Sequence, residues 1–164
     1  MNARWILLSV AVCSLLLSSG ACVNAKEVQV TIDQVPQAVR DAILKEAGEA
    51  KIDEIEKETK GDKVTYEAEW KVDGKEIEIK LAEDGTVLAR EQEITLEQAP
   101  QAVREAILKA AGDNKVKEVS RITRGGKTFF EAEWKADGKE IEIKLAEDGT
   151  ILKKQAEAED KDDD

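Results

Sequence analysis

Glutamates at alternate positions are the residues of this chain whose types and spacing could do chemistry. Glu67 and Glu69 recur as Glu131 and Glu133, and each pair lies on one face of a predicted strand. Two carboxylates could cleave a glycosidic bond, one as the acid and the other as base or nucleophile. The acid needs surroundings that raise its pKa, and we expect no such surroundings on an open, charged sheet. The chain also lacks histidine, the usual general base near neutral pH. We therefore predict no enzyme and no catalytic residues.

Composition restricts the partners further. Charged residues make up 37% of the 164-residue chain, and the formal net charge is −11. Nucleic acids and anionic membrane surfaces bind mainly through Lys and Arg, so both are disfavoured as partners. The two cysteines, Cys13 and Cys22, lie near the N-terminus, so we predict neither a disulfide nor a thiol site in the folded part. No cofactor or metal site is predicted, although an acidic surface is compatible with basic proteins and divalent cations.

Residues 1–25 have the layout of a secretory signal peptide, with a basic start at Arg4 and an apolar run that is too short to span a bilayer. We predict export to the periplasm or the cell exterior, with cleavage after Ala25. Lipid attachment at Cys22 is an alternative, although Ser19 stands where such signals normally have Leu or Val. An uncleaved N-terminal anchor is a further alternative.

The rest of the chain is one unit written twice. Residues 67–86 return 64 residues later as residues 131–150, with Val72 replaced by Ala136 as the one difference. A unit of this size buries only about 60% of its unfolded surface, so we expect the two copies to pack together. The predicted segments are a signal peptide (1–25), two repeats (26–90 and 91–154) and an acidic, disordered tail (155–164).

Each repeat begins with a predicted amphipathic helix. In the first repeat, the apolar residues at helical spacing are Val35, Val39, Ala42, Ile43 and Ala47. Gly48 and Gly112 can adopt the positive φ that ends a helix. Thr31 and Gln34 match a capping box, and Pro36 follows at once. The helix therefore begins either at the capping box or at the proline, after a separate short turn.

Strand-type alternation fills the remainder of each repeat. Asp73-Gly74 marks a hairpin between two alternating runs. Turns on either side imply further strands around residues 51–59, with a bulge or a late start, and 86–90. The predicted fold class is α+β, with two tandem repeats that each have one helix packed on a four-stranded antiparallel β-meander. Residues 90–93 contain neither Gly nor Pro, which favours a fixed arrangement of the repeats. The residues predicted to face the helix are Val64, Tyr66, Ala68, Trp70, Ile77, Ile79 and Leu81.

These elements resemble a known family. The segments PQAVRDAILKEAG, YEAEW and DGKEIEIKLAEDGTVL, with their counterparts PQAVREAILKAAG, FEAEW and DGKEIEIKLAEDGTIL, are similar to the PepSY-like, β-lactamase-inhibitor-like family in tandem copies. The resemblance covers residues 30–153. It implies small domains of one helix and three or four strands, with a non-enzymatic role outside the cytoplasm in binding or inhibiting proteins. It transfers no catalytic residues, and no inhibitory loop residue has a counterpart that aligns.

The sheet face away from the helices, here called the open face, is the predicted site. It could be a solvated surface whose Glu–Lys pairs contribute a few tenths of a kcal/mol each, or it could bind a protein. Phe129 replaces Thr65 on this face and could anchor a partner or pack against the first repeat. The residues predicted on the face are Glu67, Glu69, Lys71, Glu76, Glu78, Lys80, Glu131, Glu133, Lys135, Glu140, Glu142 and Lys144. Those predicted to bind a partner are Phe129, Glu67, Glu69, Lys71, Glu131, Glu133 and Lys135.

The predicted function is an exported, non-enzymatic protein-binding module that includes, as one form, an inhibitor of a secreted or periplasmic enzyme. The alternative is a structural or stress-related periplasmic module that binds cations weakly through its acidic surface.

Overall fold

Nine antiparallel strands, with two helices inserted among them, make up the part of the chain that the computed structural model describes, residues 25–158. The predicted signal peptide lies outside these residues except for Ala25. Helix α1 (Gln37–Ala47) connects the first two strands, and α2 (Gln101–Ala111) connects the fifth and the sixth. The strands are β1 (Lys26–Gln29), β2 (Ile52–Lys60), β3 (Lys63–Val72), β4 (Lys75–Ala82), β5 (Val87–Glu93), β6 (Val116–Arg124), β7 (Lys127–Ala136), β8 (Lys139–Ala146) and β9 (Ile151–Ala158).

The predicted fold class, with a separate four-stranded sheet in each repeat, is wrong. All nine strands belong to one sheet in chain order, because β5 pairs with β6 and joins the repeats. The pairing extends from Ala89 opposite Arg124 to Glu93 opposite Ser120. Without this pairing, β5 would leave a row of backbone N–H and C=O groups without partners. The expected fixed arrangement of the repeats is confirmed, since residues 90–93 belong to β5 itself.

Strand β1 was not predicted. It has four exposed residues and pairs with the outer edge of β2, with Glu27 opposite Glu58. The 64-residue repeat makes β1, β5 and β9 equivalent strands. Strand β5 is therefore both the last strand of the first repeat and the leading strand of the second.

The helix begins after a separate turn, which was the second of the two predicted starts. Residues Ile32–Gln34 form a 3-10 turn, closed by a capping box in which the Thr31 N–H donates to the Gln34 side chain at 2.8 Å. The chain is extended at Pro36, and α1 starts at the next residue. The predicted helix end is confirmed, because Gly48 has a φ of 60° and its N–H donates to the Leu44 carbonyl.

The core lies between the helices and the sheet. Helix α1 packs on β3 and β4, and α2 packs on β7 and β8. Gly85 brings the β4–β5 turn against α1, where an added Cβ would collide with the Ala38 carbonyl. Burying each large apolar side chain contributes about 1.5–3 kcal/mol. The large side chains that are completely buried are Val39, Ile43, Trp70, Ile79 and Leu81 in the first repeat and, at no more than 1% exposure, Val103, Ile107, Trp134, Ile143 and Leu145 in the second.

The details at the strand ends confirm two predictions and correct one. A bulge lies between Ile52 and Glu54, as predicted for β2. Asp73 and Gly74 have φ values of 52° and 76°, as a tight hairpin with two positive-φ residues requires. The predicted boundary of the acidic tail at residue 155 is too early, because β9 continues to pair with β8 as far as Ala158. Residues 159–164 lie outside the described part.

Candidate functional site

The open face is the surface of the sheet opposite the two helices. Alternation fixes it: Trp70 and Ile77 lie opposite each other on the helix side, so Glu69 and its neighbour Glu78 point the other way. The same register holds for β7 and β8. All seven residues predicted to bind a partner therefore lie on one face of one continuous sheet, and neither helix covers that face among residues 25–158.

In the first repeat, a lysine shared by two carboxylates organises the face. Lys80 Nζ lies 2.5 Å from carboxylate oxygens of both Glu58 and Glu67. The buried Thr65 hydroxyl donates a hydrogen bond of 3.3 Å to Glu58. The hydrogen bond from Lys80, more than any other interaction, lowers the pKa of Glu58. This part of the face is charged, with one ammonium group shared between two carboxylates.

In the second repeat, two of the equivalent positions are apolar. Lys144 Nζ lies 2.6 Å from Glu131 and 5.5 Å from the centre of the Phe129 ring. Ile122 stands where the first repeat has Glu58, and it lies directly opposite Phe129 with only 8% of its surface exposed. The cross-strand neighbours of Phe129, Ile122 and Ala146, both belong to the second repeat.

A row of four glutamates crosses the first half of the face. Glu54, Glu69, Glu78 and Glu91 lie opposite one another in turn on β2, β3, β4 and β5. Burial is the main cause that raises the pKa of Glu78 to about 8 and those of Glu69 and Glu91 to about 7, and neighbouring carboxylates add to it. The expectation that an open sheet leaves carboxylate pKa values unchanged is therefore wrong.

The second half of the face repeats this row with one change. Glu118, Glu133 and Glu142 lie opposite one another, but Gln155 stands at the end where the first row has Glu91. Burial raises the pKa of Glu133 to about 7 and, to a smaller degree, that of Glu142, which accepts a hydrogen bond of 3.2 Å from Gln155.

Raised pKa values alone do not make this face an active site. The cleft between the two rows has a volume of about 20 Å³ and is lined by five polar side chains and Ala132. It has room for about one water molecule and cannot enclose a sugar ring. Within residues 25–158, no cluster of three or more acidic, Cys or His side chains is placed to hold a metal ion. The polar residues that line the cleft are Glu91, Glu118, Ser120, Glu131 and Glu133.

The sequence did not predict the residues where β5 and β6 join the two repeats. Glu91, Ser120 and Ile122 lie in the middle of the open face, on β5 and β6, yet were not predicted there. The alternation of residues 87–93 and 116–124 would have placed them, had the pairing of β5 with β6 been foreseen. A cavity of about 400 Å³ at the start of β2, lined by residues 29–32, 34 and 52–55, was also not predicted.

No helix within the described part is long and apolar enough to cross a membrane.

The fold and the face define a class of protein: a continuous antiparallel sheet with helices on one side and an open polar face on the other. The sequence profile of the family described as "Putative beta-lactamase-inhibitor-like, PepSY-like" matches residues 21–89 and 86–153. The chain belongs to this family, in two tandem copies, as its sequence motifs predicted.

Solved structures with the same fold come from Bacteroides. A protein of Bacteroides eggerthii described as a "putative periplasmic" protein has a TM-score of 0.63 and 18% identity, over 74% of this chain and 88% of that one. A BLIP-like protein of Bacteroides fragilis has a TM-score of 0.60 and 24% identity, over 79% and 92%. These identities support a shared fold and nothing finer. No curated protein matches the chain.

Proposed function

We propose that this protein is an exported, non-enzymatic binding module whose open face binds another protein. The observation that carries the proposal is the continuity of this face, since nine strands present one surface that no helix covers within residues 25–158. The sequence of residues 1–25 and the description of the Bacteroides eggerthii protein as periplasmic support the exported location.

The second repeat supplies the anchor for the partner. Phe129 and Ile122 form an apolar pair on β6 and β7, with strands on both sides and carboxylates around them. Binding energy in interfaces concentrates on central aromatic side chains surrounded by polar contacts. Lys144 and the predicted contact Glu131 supply the polar rim beside this pair, and the predicted contacts Glu133 and Lys135 lie further along β7. The equivalent contacts of the first repeat, Glu67, Glu69 and Lys71, extend the surface.

The proposal is tested by capture from a cell-envelope extract at low salt and at about 1 M salt, where screening reduces the Debye length to about 3 Å. We expect one protein to be retained at both salt concentrations and to be lost with Phe129→Thr, which installs the residue of the first repeat. Leu108→Thr, at a 49% exposed position on the helix side, is the matched control and should leave capture unchanged. Retention of many proteins that is lost at high salt and is unchanged by Phe129→Thr would refute the proposal.

Inhibition is the finer form of the proposal. If the captured protein is an enzyme, its turnover should fall as the wild-type protein is added, and Phe129→Thr should restore it. Full turnover of the saturated complex would leave the chain a binding module without inhibitory action.

A further inference from the structure

The last strand of the sheet has an outer edge without a partner strand within residues 25–158. Strand β9 ends the strand order, whereas its repeat equivalent β5 pairs along the same edge with β6. Leu152 is 52% exposed, while its equivalent Leu88 is half-buried. Within residues 25–158, this edge is in use on β1, which pairs with β2, and on β5, which pairs with β6, and it is free on β9.

Two charges on β9 lie directly opposite like charges on the strand beside it, although Lys153 also attracts Glu142 on β8. Lys153 lies opposite Lys144 on β8, and Glu157 lies opposite Glu140. Like charges directly opposite each other in a sheet are destabilising. Lys144 and Glu140 have partners of their own, Glu131 at 2.6 Å and Lys117 at 2.7 Å. An additional strand on the free edge could therefore place opposite charges directly across from Lys153 and Glu157, where β8 places like charges.

We propose that the occupant of this edge is a second copy of the same chain, paired antiparallel through β9 about a twofold axis at Gln155. In this register, Lys153 of each copy lies opposite Glu157 of the other, and Gln155 lies opposite itself. A twofold axis perpendicular to the sheet keeps both open faces on the same side. The pairing therefore makes one sheet of eighteen strands from two sheets of nine.

Charge selects this register over its neighbours. Centring the axis on Lys153 or Lys154 places two lysines opposite each other, and centring it on Glu157 places two glutamates opposite each other. Centring it on Ala156 leaves Glu157 opposite Gln155, without a cation. On the helix side of the sheet, Lys154 is already held over its own Trp134 ring at 5.8 Å, and in the proposed register it meets Ala156.

The first experiment exchanges the two charges and measures self-association by sedimentation. Lys153→Glu and Glu157→Lys should each weaken dimerisation about tenfold or more, because each puts two like pairs into the dimer. An equimolar mixture of the two variants should recover it, because both cross-strand pairs become attractive again. A wild-type protein that stays monomeric at about 1 mM, or a mixture no better than its components, overturns the proposal.

The second experiment fixes the register by disulfide formation, in a chain whose Cys13 and Cys22 are changed to Ser. Gln155→Cys should cross-link readily, since opposed residues in antiparallel strands have Cα atoms about 4.5–5.5 Å apart. Lys153→Cys is the matched control on the same face, because its Cα atoms would lie about 14 Å apart in this register. Cross-linking of Lys153→Cys in preference to Gln155→Cys would exclude the proposed axis and thereby overturn the proposal.

Discussion

The two repeats share their helix-side core and differ on their open face. Trp70 and Trp134 are at most 1% exposed, and each packs under a helix of eleven residues. On the open face the repeats differ where β2 and β6 run, since Glu56 and Glu58 of the first repeat become Ser120 and Ile122 in the second. They differ again where Thr65 becomes Phe129 and where Glu91 becomes Gln155.

Position in the sheet explains the change on β6. Ser120 lies between Glu93 on β5 and Glu131 on β7, so a glutamate there would face a carboxylate on both sides. Ile122 likewise lies opposite Glu91. On the corresponding edge, β2 has the short, exposed β1 beside it, where Glu27 lies opposite Glu58, and Lys80 Nζ lies 2.5 Å from Glu58. The loss of two carboxylates on β6 thus removes like charges beside β5, whereas β2 keeps one such pair, Glu58 opposite Glu27, next to an exposed strand.

The largest expected effect tests whether the two cores are equivalent. Trp70→Ala and Trp134→Ala should each reduce the free energy of unfolding by about 3–5 kcal/mol, because each leaves a large cavity under a helix. Urea denaturation followed by circular dichroism measures both. We expect a single transition for each variant, because the repeats share one sheet. Two separate transitions would show that the repeats unfold independently.

Trp70→Phe is the matched control for this pair. The Nε1 group of Trp70 is buried without a hydrogen-bond partner, so its removal sacrifices no protein hydrogen bond. The loss with Phe should therefore be clearly smaller than the loss with Ala. An equal loss would mean that the indole makes a polar interaction essential to the core.

How much of this the sequence could predict depends on whether a signal is local. The spacing of Val39 and Ile43 predicted the helix, and Asp73-Gly74 predicted the hairpin, because each signal lies within a few residues. The pairing of β5 with β6 has no such signal. It pairs Ala89 with Arg124, and helix α2 lies between these two residues in the sequence. Neither strand contains a sequence pattern that identifies the strand it pairs with.

The electrostatics of the site were lost for the same reason. Glu78 can be assigned to the open face from alternation alone, but its pKa is raised mainly by burial, to which Glu67, Glu91 and Glu69 add, and burial has no local sequence signal. The sequence of β1 also gives no strand signal, because four residues with a single apolar side chain show no period. Most helices and strands were predictable from the sequence, but the pairing of strands from different repeats was not.

The pH dependence of stability should be the intermediate effect. The folded state raises the pKa of Glu78 from 4.5 to about 8, so it holds a proton that the unfolded chain releases. Stability should therefore fall as pH rises from about 4.5 to about 8. Glu78→Gln removes the contribution of Glu78 to this dependence, and it should stabilise the protein by about 1–2 kcal/mol at high pH, discounted for solvent screening. The raised pKa values of Glu69, Glu91 and Glu133 leave a smaller dependence in the variant. Thermal denaturation from pH 4 to pH 9 measures the change.

Glu142→Gln is the control in the second repeat. Glu142 accepts a hydrogen bond from its neighbour Gln155, and this hydrogen bond favours the charged carboxylate. The stabilisation at high pH should therefore be smaller than for Glu78→Gln. Equal gains at both positions would show that burial sets the effect in both rows and that the replacement of Glu91 by Gln155 makes no difference.

The smallest expected effect is the difference in stability between removing Lys80, which has two carboxylate partners, and removing Lys144, which has one carboxylate and one aromatic partner. Lys80→Met leaves Glu58 and Glu67 without their shared cation, whereas Lys144→Met leaves only Glu131 and a neutral Phe129 ring. The first substitution should therefore cost about 0.5–1 kcal/mol more in the free energy of unfolding at neutral pH, since these side chains are partly exposed. Urea denaturation of both variants, repeated at about 1 M salt, measures the difference and its screening. If the two substitutions lower the free energy of unfolding equally, the Phe129 ring stabilises Lys144 as much as Glu58 stabilises Lys80. The apolar pair of the second repeat would then replace the polar pair of the first without any loss of stability.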